Sequence, residues 1–337
     1  MNRKLLTSFV LALACGLDAG IVLAQEGTLR ERLRQRPQER AAAPAPAAQP
    51  ITAPGDYRAS LEHDGRTRLY RLYVPTGYRA DRPAPLLVAL HGGGGSMDHM
   101  GRDDAYGLLS FAERTGQVLL LPNGVSRLRS GKLATWNAGN CCGSARDAQV
   151  DDVGYIRAVV ERVQGQLSID ARRIRATGMS NGAMMAYRLA CELPGLFSAV
   201  VAVAGTDNTR SCTPAQPVAV LHIHARNDRH VLYEGGAGPD AVDRSLITDF
   251  RSVPDTVARW VERNRCVPTP QRVLEKEGAW CERYAPCAGG APVQLCVTAA
   301  GGHSWPGGYK PRGEAPTQAI EANALMWDFF NGLDAQR

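Results

Sequence analysis

The sequence predicts one α/β domain: a mostly parallel sheet, covered by helices on both faces and entered through an antiparallel hairpin. Three observations carry this. Apolar runs such as "APLLVAL" (84–90), "GQVLLLPNG" (116–124) and "FSAVVAVAG" (197–205) lack polar alternation, as strands buried on both faces do. Segments of helical period separate them, the mark of a parallel sheet with crossover helices. By contrast, "YRASLEHDGRTRLYRLYVP" alternates polar and apolar residues around Asp64-Gly65, a hairpin signal.

The chain then reads in order. The first hairpin leads to the strand 84–90, which runs into "HGGGGS". "GQVLLLPNG" is a second buried strand. "DDVGYIRAVVERVQGQL" has helical period, with Asp151 or Asp152 as its N-cap. "RRIRATGMS" is a strand running into Ser180, and "NGAMMAYRLACEL" is the helix that follows. "FSAVVAVAG" and "QPVAVLHIHA" are strands, "VPDTVARWVERN" a helix, "APVQLCVTAA" a strand and "TQAIEANALMWDFF" a final amphipathic helix. The stretches 123–150, 227–252 and 267–292 read as irregular. They are expected at the carboxyl ends of the strands, where α/β sheets bind ligands. No internal repeat is visible, and the spacing leaves no room for a large cap domain.

The N-terminus stands outside this domain. "MNRKLLTSFVLALACGL" joins Arg3 and Lys4 to a short apolar run, and Val22 and Ala24 are small residues ahead of a cut after Ala24. Residues 1–24 therefore read as a secretory signal peptide. The run is short for a membrane anchor, and Ala12 makes "ALAC" a poor lipoprotein site. Residues 25–54, rich in Arg and Gln and then in Ala and Pro, predict a disordered linker. The folded domain is then 55–333. Of the formal net charge of +6, +3 belongs to residues 51–337, and no basic cluster suggests a nucleic-acid partner. Hydrophobic residues at 44% and charged residues at 21% are ordinary for a soluble globular chain, and no later stretch is apolar enough to span a membrane.

Beyond Cys15 the chain has eight cysteines: Cys141, Cys142, Cys191, Cys212, Cys266, Cys281, Cys287 and Cys296. An even number behind a secretion signal favours disulfides. No C-x-x-C pair suggests zinc, so no metal is expected. A ring between adjacent cysteines is strained. Cys141 and Cys142 are therefore expected to find distant partners in Cys191 and Cys212, with the other four pairing near the C-terminus.

The chemistry centres on "GMSNG". A serine between two glycines, joining a strand to a helix, is the nucleophile turn of α/β-hydrolases. A plain helix cap is the alternative for Ser180. A serine nucleophile needs a base, and the base an orienting acid. The α/β-hydrolase order is Ser, acid, His. Asp228 ends the strand "AVLHIHA" and His303 follows the strand "VQLCVTAA", so both reach the same sheet edge. His303 would take the Ser180 proton, and Asp228 would hold its tautomer. His222 and His224, alternating within a strand, read as packed. His230 is too near Asp228 in sequence for the base. Asp240, Asp243 and Asp249 are competing acids in a solvated loop. "LHGGGGS" follows a strand as an oxyanion loop does, with the amides of Gly93 and Asn181 as the donors; His91 shapes that turn. A phosphate loop would need G-K-[ST] or G-x-G-x-x-G, which is missing.

Taken together, "LHGGGGS", "WNAGNCCG", "VDDVGYI", "TGMSNGAMMAYRLACE", "LHIHARND" and "GGHSWPGG" resemble the poly(3-hydroxybutyrate) depolymerase family of esterases, relatives of the bacterial feruloyl and acetylxylan esterases. The resemblance runs from Tyr57 to Phe330. It implies a secreted carboxylic ester hydrolase of the α/β-hydrolase fold, acting through Ser180, Asp228 and His303 without a cofactor. One departure stands out. Where many relatives have H-G-T-x-D, this chain has His224-Ala225-Arg226-Asn227-Asp228, then Arg229 and His230. Arg226 and Arg229 would either make the cleft edge positive or point to solvent and bond carbonyls, the second being the preferred reading.

The absence of a cap implies an open cleft, suited to a polymeric or aryl ester substrate. Trp305 and Trp136 are the candidates to wall a subsite, with Arg226 at its edge; packing beneath a disulfide-pinned loop is the alternative for each, and the preferred one for Trp136. Three readings stay open: an esterase on hydroxyalkanoate or feruloyl-type esters, a hydrolase of an anionic polymer amide or ester, and a non-catalytic polymer-binding homologue.

Overall fold

The computed structural model describes residues 51, 53–128, 130–241 and 249–336. The expected signal peptide, nearly all of the expected linker and the rival acid Asp243 lie outside the described residues.

Asp64 and Gly65 both take positive φ (50° and 67°), turning β1 (Gly55–His63) directly into β2 (Arg66–Val74). This is the two-residue turn whose twist matches the flanking strands. The parallel set is β3 (Ala84–Leu90), β4 (Val118–Pro122), β5 (Ile169–Met179), β6 (Ala199–Val203), β7 (Ala219–Ala225) and β10 (Val293–Thr298). With β8 (Gln271–Lys276) and β9 (Ala279–Tyr284) they form one sheet, ordered β1-β2-β4-β3-β5-β6-β7-β10-β9-β8.

The central strands explain their own composition. In β3, Leu86, Val88 and Leu90 face one core while Leu87 and Ala89 face the other, and all five are fully buried. A strand with two buried faces has no place for polar alternation. One face packs under α5 (Asp152–Gln166), α6 (Asn181–Glu192) and α7 (Val253–Arg263); the other under α1 (Met97–Met100), α2 (Asp103–Tyr106), α3 (Leu108–Thr115) and α8 (Ala322–Asp334). A further short helix, α4 (Gly143–Asp147), lies between β4 and α5.

At the start of α5 the two acids divide the work. Asp151 caps the helix by accepting from the Gly154 N–H. Asp152 is buried, bound to Arg68 of β2 at 2.5 Å and to the Asn137 N–H at 2.8 Å.

Two expectations are corrected. The stretch 267–292 is not irregular: β8 and β9 form a hairpin that lengthens the sheet beside β10. Every residue of β8 except Leu274 is exposed, so it carries no alternation to read. Cys141 and Cys142 are not bound to Cys191 and Cys212. Cys191, near the end of α6, pairs with Cys212, their Cα atoms 5.4 Å apart, a usual bridging separation. That leaves Cys141 and Cys142 to pair with each other, across a cis peptide bond. The remaining four pair near the C-terminus as Cys266–Cys287 and Cys281–Cys296. Among the described residues no helix is long and apolar enough to cross a membrane.

Candidate active site

Strand β5 ends at Met179 and α6 begins at Asn181. Ser180 between them has φ 56° and ψ −122°, a left-handed conformation uncommon for a residue with a side chain. It occupies the N-cap position, yet its side chain makes no capping hydrogen bond. Its amide donates to the Val203 carbonyl at 2.9 Å, which fixes the turn against β6.

The turn is possible because three glycines bring backbones into contact. A Cβ on Gly178 would lie 2.4 Å from the Gly182 carbonyl, and one on Gly182 would lie 2.2 Å from the Leu90 carbonyl oxygen. A Cβ on Gly205 would lie 2.3 Å from the Ser180 carbonyl oxygen. Close strand–helix approach at these positions excludes any side chain.

The glycine loop after β3 sits beside this turn. The N–H groups of Gly94 and Gly95 bond within their surroundings, to the carbonyls of Ala134 and Gly92. Gly93 lies against Asn181: a Cβ placed on Gly93 would be 3.6 Å from the Asn181 Cβ. The Asn181 amide opens α6, where N–H groups have no partner within the helix. The two donors expected from the sequence are thus neighbours.

His91 and Trp136 hold this loop from beneath. His91 accepts the Gly124 N–H at Nε2, 2.9 Å, so its Nδ1 donates to the Gly92 carbonyl at 2.8 Å. Burial pushes its pKa down to about 4, which keeps it in this neutral tautomer. The Trp136 indole donates to the His91 carbonyl at 2.9 Å, while the Asn181 side chain clamps the Trp136 backbone, accepting its N–H at 2.7 Å and donating to its carbonyl at 3.1 Å. Trp136 is fully buried and does not wall the cavity; its candidacy as a subsite wall is corrected. Its N–H needs a partner once buried, and the His91 carbonyl supplies it.

Asp228 follows β7 and is buried. Its Oδ1 accepts the N–H groups of His230 (2.8 Å) and Val231 (3.0 Å), and its Oδ2 accepts from His303 Nδ1 at 2.8 Å. Burial alone would raise its pKa, but His303, His224 and these bonds hold the carboxyl well below the usual range. The other strand histidines form a satisfied buried chain. Tyr187 Oη meets His222 Nδ1 at 2.7 Å, His222 Nε2 meets His224 Nδ1 at 3.1 Å, and His224 Nε2 meets the Val231 carbonyl at 2.9 Å. The packed role expected for His222 and His224 matches this arrangement.

Ser180, His303 and the Gly92–Gly95 loop line one cavity of about 690 Å³. Trp305 is in its wall, edge-to-face with Tyr106 at 5.7 Å, and Tyr106 in turn meets His99 at 5.6 Å. Burial raises the Tyr106 pKa to about 12, so its hydroxyl stays protonated. His230 stacks on His303 with ring centroids 4.6 Å apart. Tyr106, Lys310 and Tyr309 also line the cavity and carry no recognisable sequence signal. Donor atoms of Asp228, His230 and His303 lie within 4.8 Å of one another. The carboxylate oxygens already accept two amides and one imidazole, so the proximity is accounted for without an ion.

Arg226 is not at the cavity. Its guanidinium lies over the Tyr233 ring at 4.4 Å and 3.6 Å from Glu234. Arg229 pairs with Asp240 at 3.0 Å. The positive edge considered for these arginines is therefore corrected: each has a carboxylate beside it.

The sheet, its N-terminal antiparallel hairpin and the serine turn at the end of β5 are those of an α/β-hydrolase. More narrowly, the chain belongs to the PHB depolymerase family of esterases, whose model, described as "Esterase PHB depolymerase", matches residues 68–243. It is a carboxylic ester hydrolase. Feruloyl esterase C of Emericella nidulans is 32% identical over 78% of this chain and 83% of its own length. Feruloyl esterase B of Piromyces equi is 29% identical over 68% of this chain, and the chain spans only 41% of that protein. Among solved structures, an acetyl xylan esterase from Aspergillus awamori shares the fold, with TM-score 0.56 and 13% identity over 82% of this chain and 99% of that one.

Proposed function

We propose that the protein is a secreted serine esterase in which Ser180 attacks the ester carbonyl, His303 is the base and Asp228 orients it. The observation that carries this reading is the left-handed turn at half-buried Ser180, which lines one cavity with a histidine held by a buried carboxylate. His303 Nε2 takes the Ser180 hydroxyl proton as Oγ bonds to the carbonyl carbon. The amides of Gly93 and Asn181 hold the oxyanion of the tetrahedral intermediate. His303 then hands the proton to the leaving alcohol as the ester C–O bond breaks, and water repeats the sequence on the acyl-serine. Four disulfides suit an oxidising compartment, which supports secretion.

The favoured substrates are feruloyl-type aryl esters. The aromatic wall of Tyr106 and Trp305 supports an aryl ring, as do relatives named feruloyl esterases. A polyhydroxyalkanoate or other polyester is the second reading, supported by the family match. Ser180→Ala is expected to lower kcat/KM for an aryl ester by at least 10³-fold, with the urea midpoint unchanged. Substantial residual turnover by a folded variant would refute the assignment.

A further inference from the structure

The cavity beside Ser180 has an imbalance of charge that ester chemistry alone does not require. Its cationic lining includes Arg102, Lys132 and Lys310, and Asp98 is its one carboxylate among the described residues. Arg102 is paired with Asp104, and Asp98 with Arg58 at 2.5 Å, so these charges are compensated. The lysines have no carboxylate within ion-pair distance among the described residues. Lys310 Nζ donates to the His303 carbonyl at 3.1 Å, which places the ammonium on the wall built by the histidine segment. Glu314, the nearest acid along the chain, is held elsewhere, accepting from Asn227 Nδ2 at 2.6 Å and the Gly301 N–H at 3.0 Å. Lys132 also lines the cavity, two residues before Ala134, which is bonded to Gly94 and Gly95 of the glycine loop.

We infer that Lys310 forms a carboxylate-binding subsite for the leaving half of the substrate: the protein prefers esters whose alcohol portion carries a carboxylate. The placement follows from the mechanism proposed above, on which this inference rests. His303 must deliver a proton to the departing oxygen, so the leaving half passes along the wall where Lys310 sits. One carbonyl uses one of the three ammonium hydrogens, and the others are available to an anion. A charge-assisted bond to a carboxylate is stronger than one to a neutral oxygen. Lys132 adds to the positive field of the cavity without fixing the carboxylate.

The test compares 4-acetoxybenzoate with its neutral methyl ester on the oxidised protein. The acyl group is the same and only the leaving half differs in charge. Wild type is expected to give the higher kcat/KM on the anion at low ionic strength, an advantage that shrinks as salt rises. Lys310→Gln should reduce the anion-to-neutral ratio about tenfold, chiefly through KM, and Lys310→Arg should restore most of it. Lys132→Gln should reduce the ratio less. A Lys310→Gln variant that slows both esters by one factor, or leaves the ratio unchanged, would overturn the subsite while the esterase reading survives. A wild type that cleaves neither ester would instead overturn the reading beneath it.

Discussion

Replacing Gly182 by alanine tests how the nucleophile turn is built. The added Cβ would lie 2.2 Å from the Leu90 carbonyl oxygen and 2.6 Å from that of His91. Carbon and oxygen do not approach within about 3 Å, so the start of α6 must retreat from the end of β3 by close to 1 Å. Backbone lies on both sides of the contact, so no rotamer change relieves it. Two consequences follow. Overpacking of this kind destabilises by about 1–3 kcal/mol. The same shift separates Asn181 on α6 from Gly93 on the loop after β3, and a misplacement of that size can cost about 10²-fold in rate. Gly178→Ala presses on the same place, its Cβ 2.4 Å from the Gly182 carbonyl, so the double variant should be less damaged than the sum of the singles. The assay is kcat/KM on an aryl acetate beside a urea midpoint, both measured on oxidised protein. A Gly182→Ala enzyme within threefold of wild type, at unchanged midpoint, would refute the close-packing account.

Acid should weaken the fold through His91. Its folded pKa, about 4, lies below the unfolded value of 6.5. The unfolded chain therefore binds the proton more readily between these values, and stability falls as pH drops from about 6.5 to about 4. The full effect is about 3 kcal/mol. Urea unfolding at pH 7 and pH 4.5 should show the loss, and His91→Gln should have a visibly flatter pH dependence; equal slopes would contradict it. The Cys191–Cys212 bridge closes a 21-residue separation. Cys191→Ser with Cys212→Ser should lower stability by about 2–4 kcal/mol, measured by urea titration. A thiol assay on denatured, unreduced wild type should find none of the eight cysteines of the domain free.

Much of the site was legible because its chemistry is local. Ser180, Asp228 and His303 each follow a buried strand, and buried strands announce themselves by continuous apolar runs. The glycines around Ser180 are readable for the same reason: a sharp strand-to-helix turn has no room for Cβ. The sequence left Trp136 open between a subsite wall and a packed residue because an indole in a loop looks alike whether it faces a ligand or a buried carbonyl. Only the fold shows that the His91 carbonyl takes its N–H. The partners of Arg226 were not legible because Glu234 and Tyr233 reach it only after the loop turns back. The cysteine pairing failed because it rested only on the strain of an adjacent ring: Cys191 and Cys212 meet across a loop whose path the sequence does not define. Strand β8 was missed because an edge strand with nearly every residue exposed has no buried face to impose a period of two.

The central claim is that Ser180 is an activated nucleophile. The most direct measurement treats the oxidised protein with a fluorophosphonate and reads the intact mass and peptide map. The account predicts one adduct, on the peptide containing Ser180, formed far more slowly when His303 is changed to Ala. No adduct on folded protein, or an adduct on another serine, would contradict it.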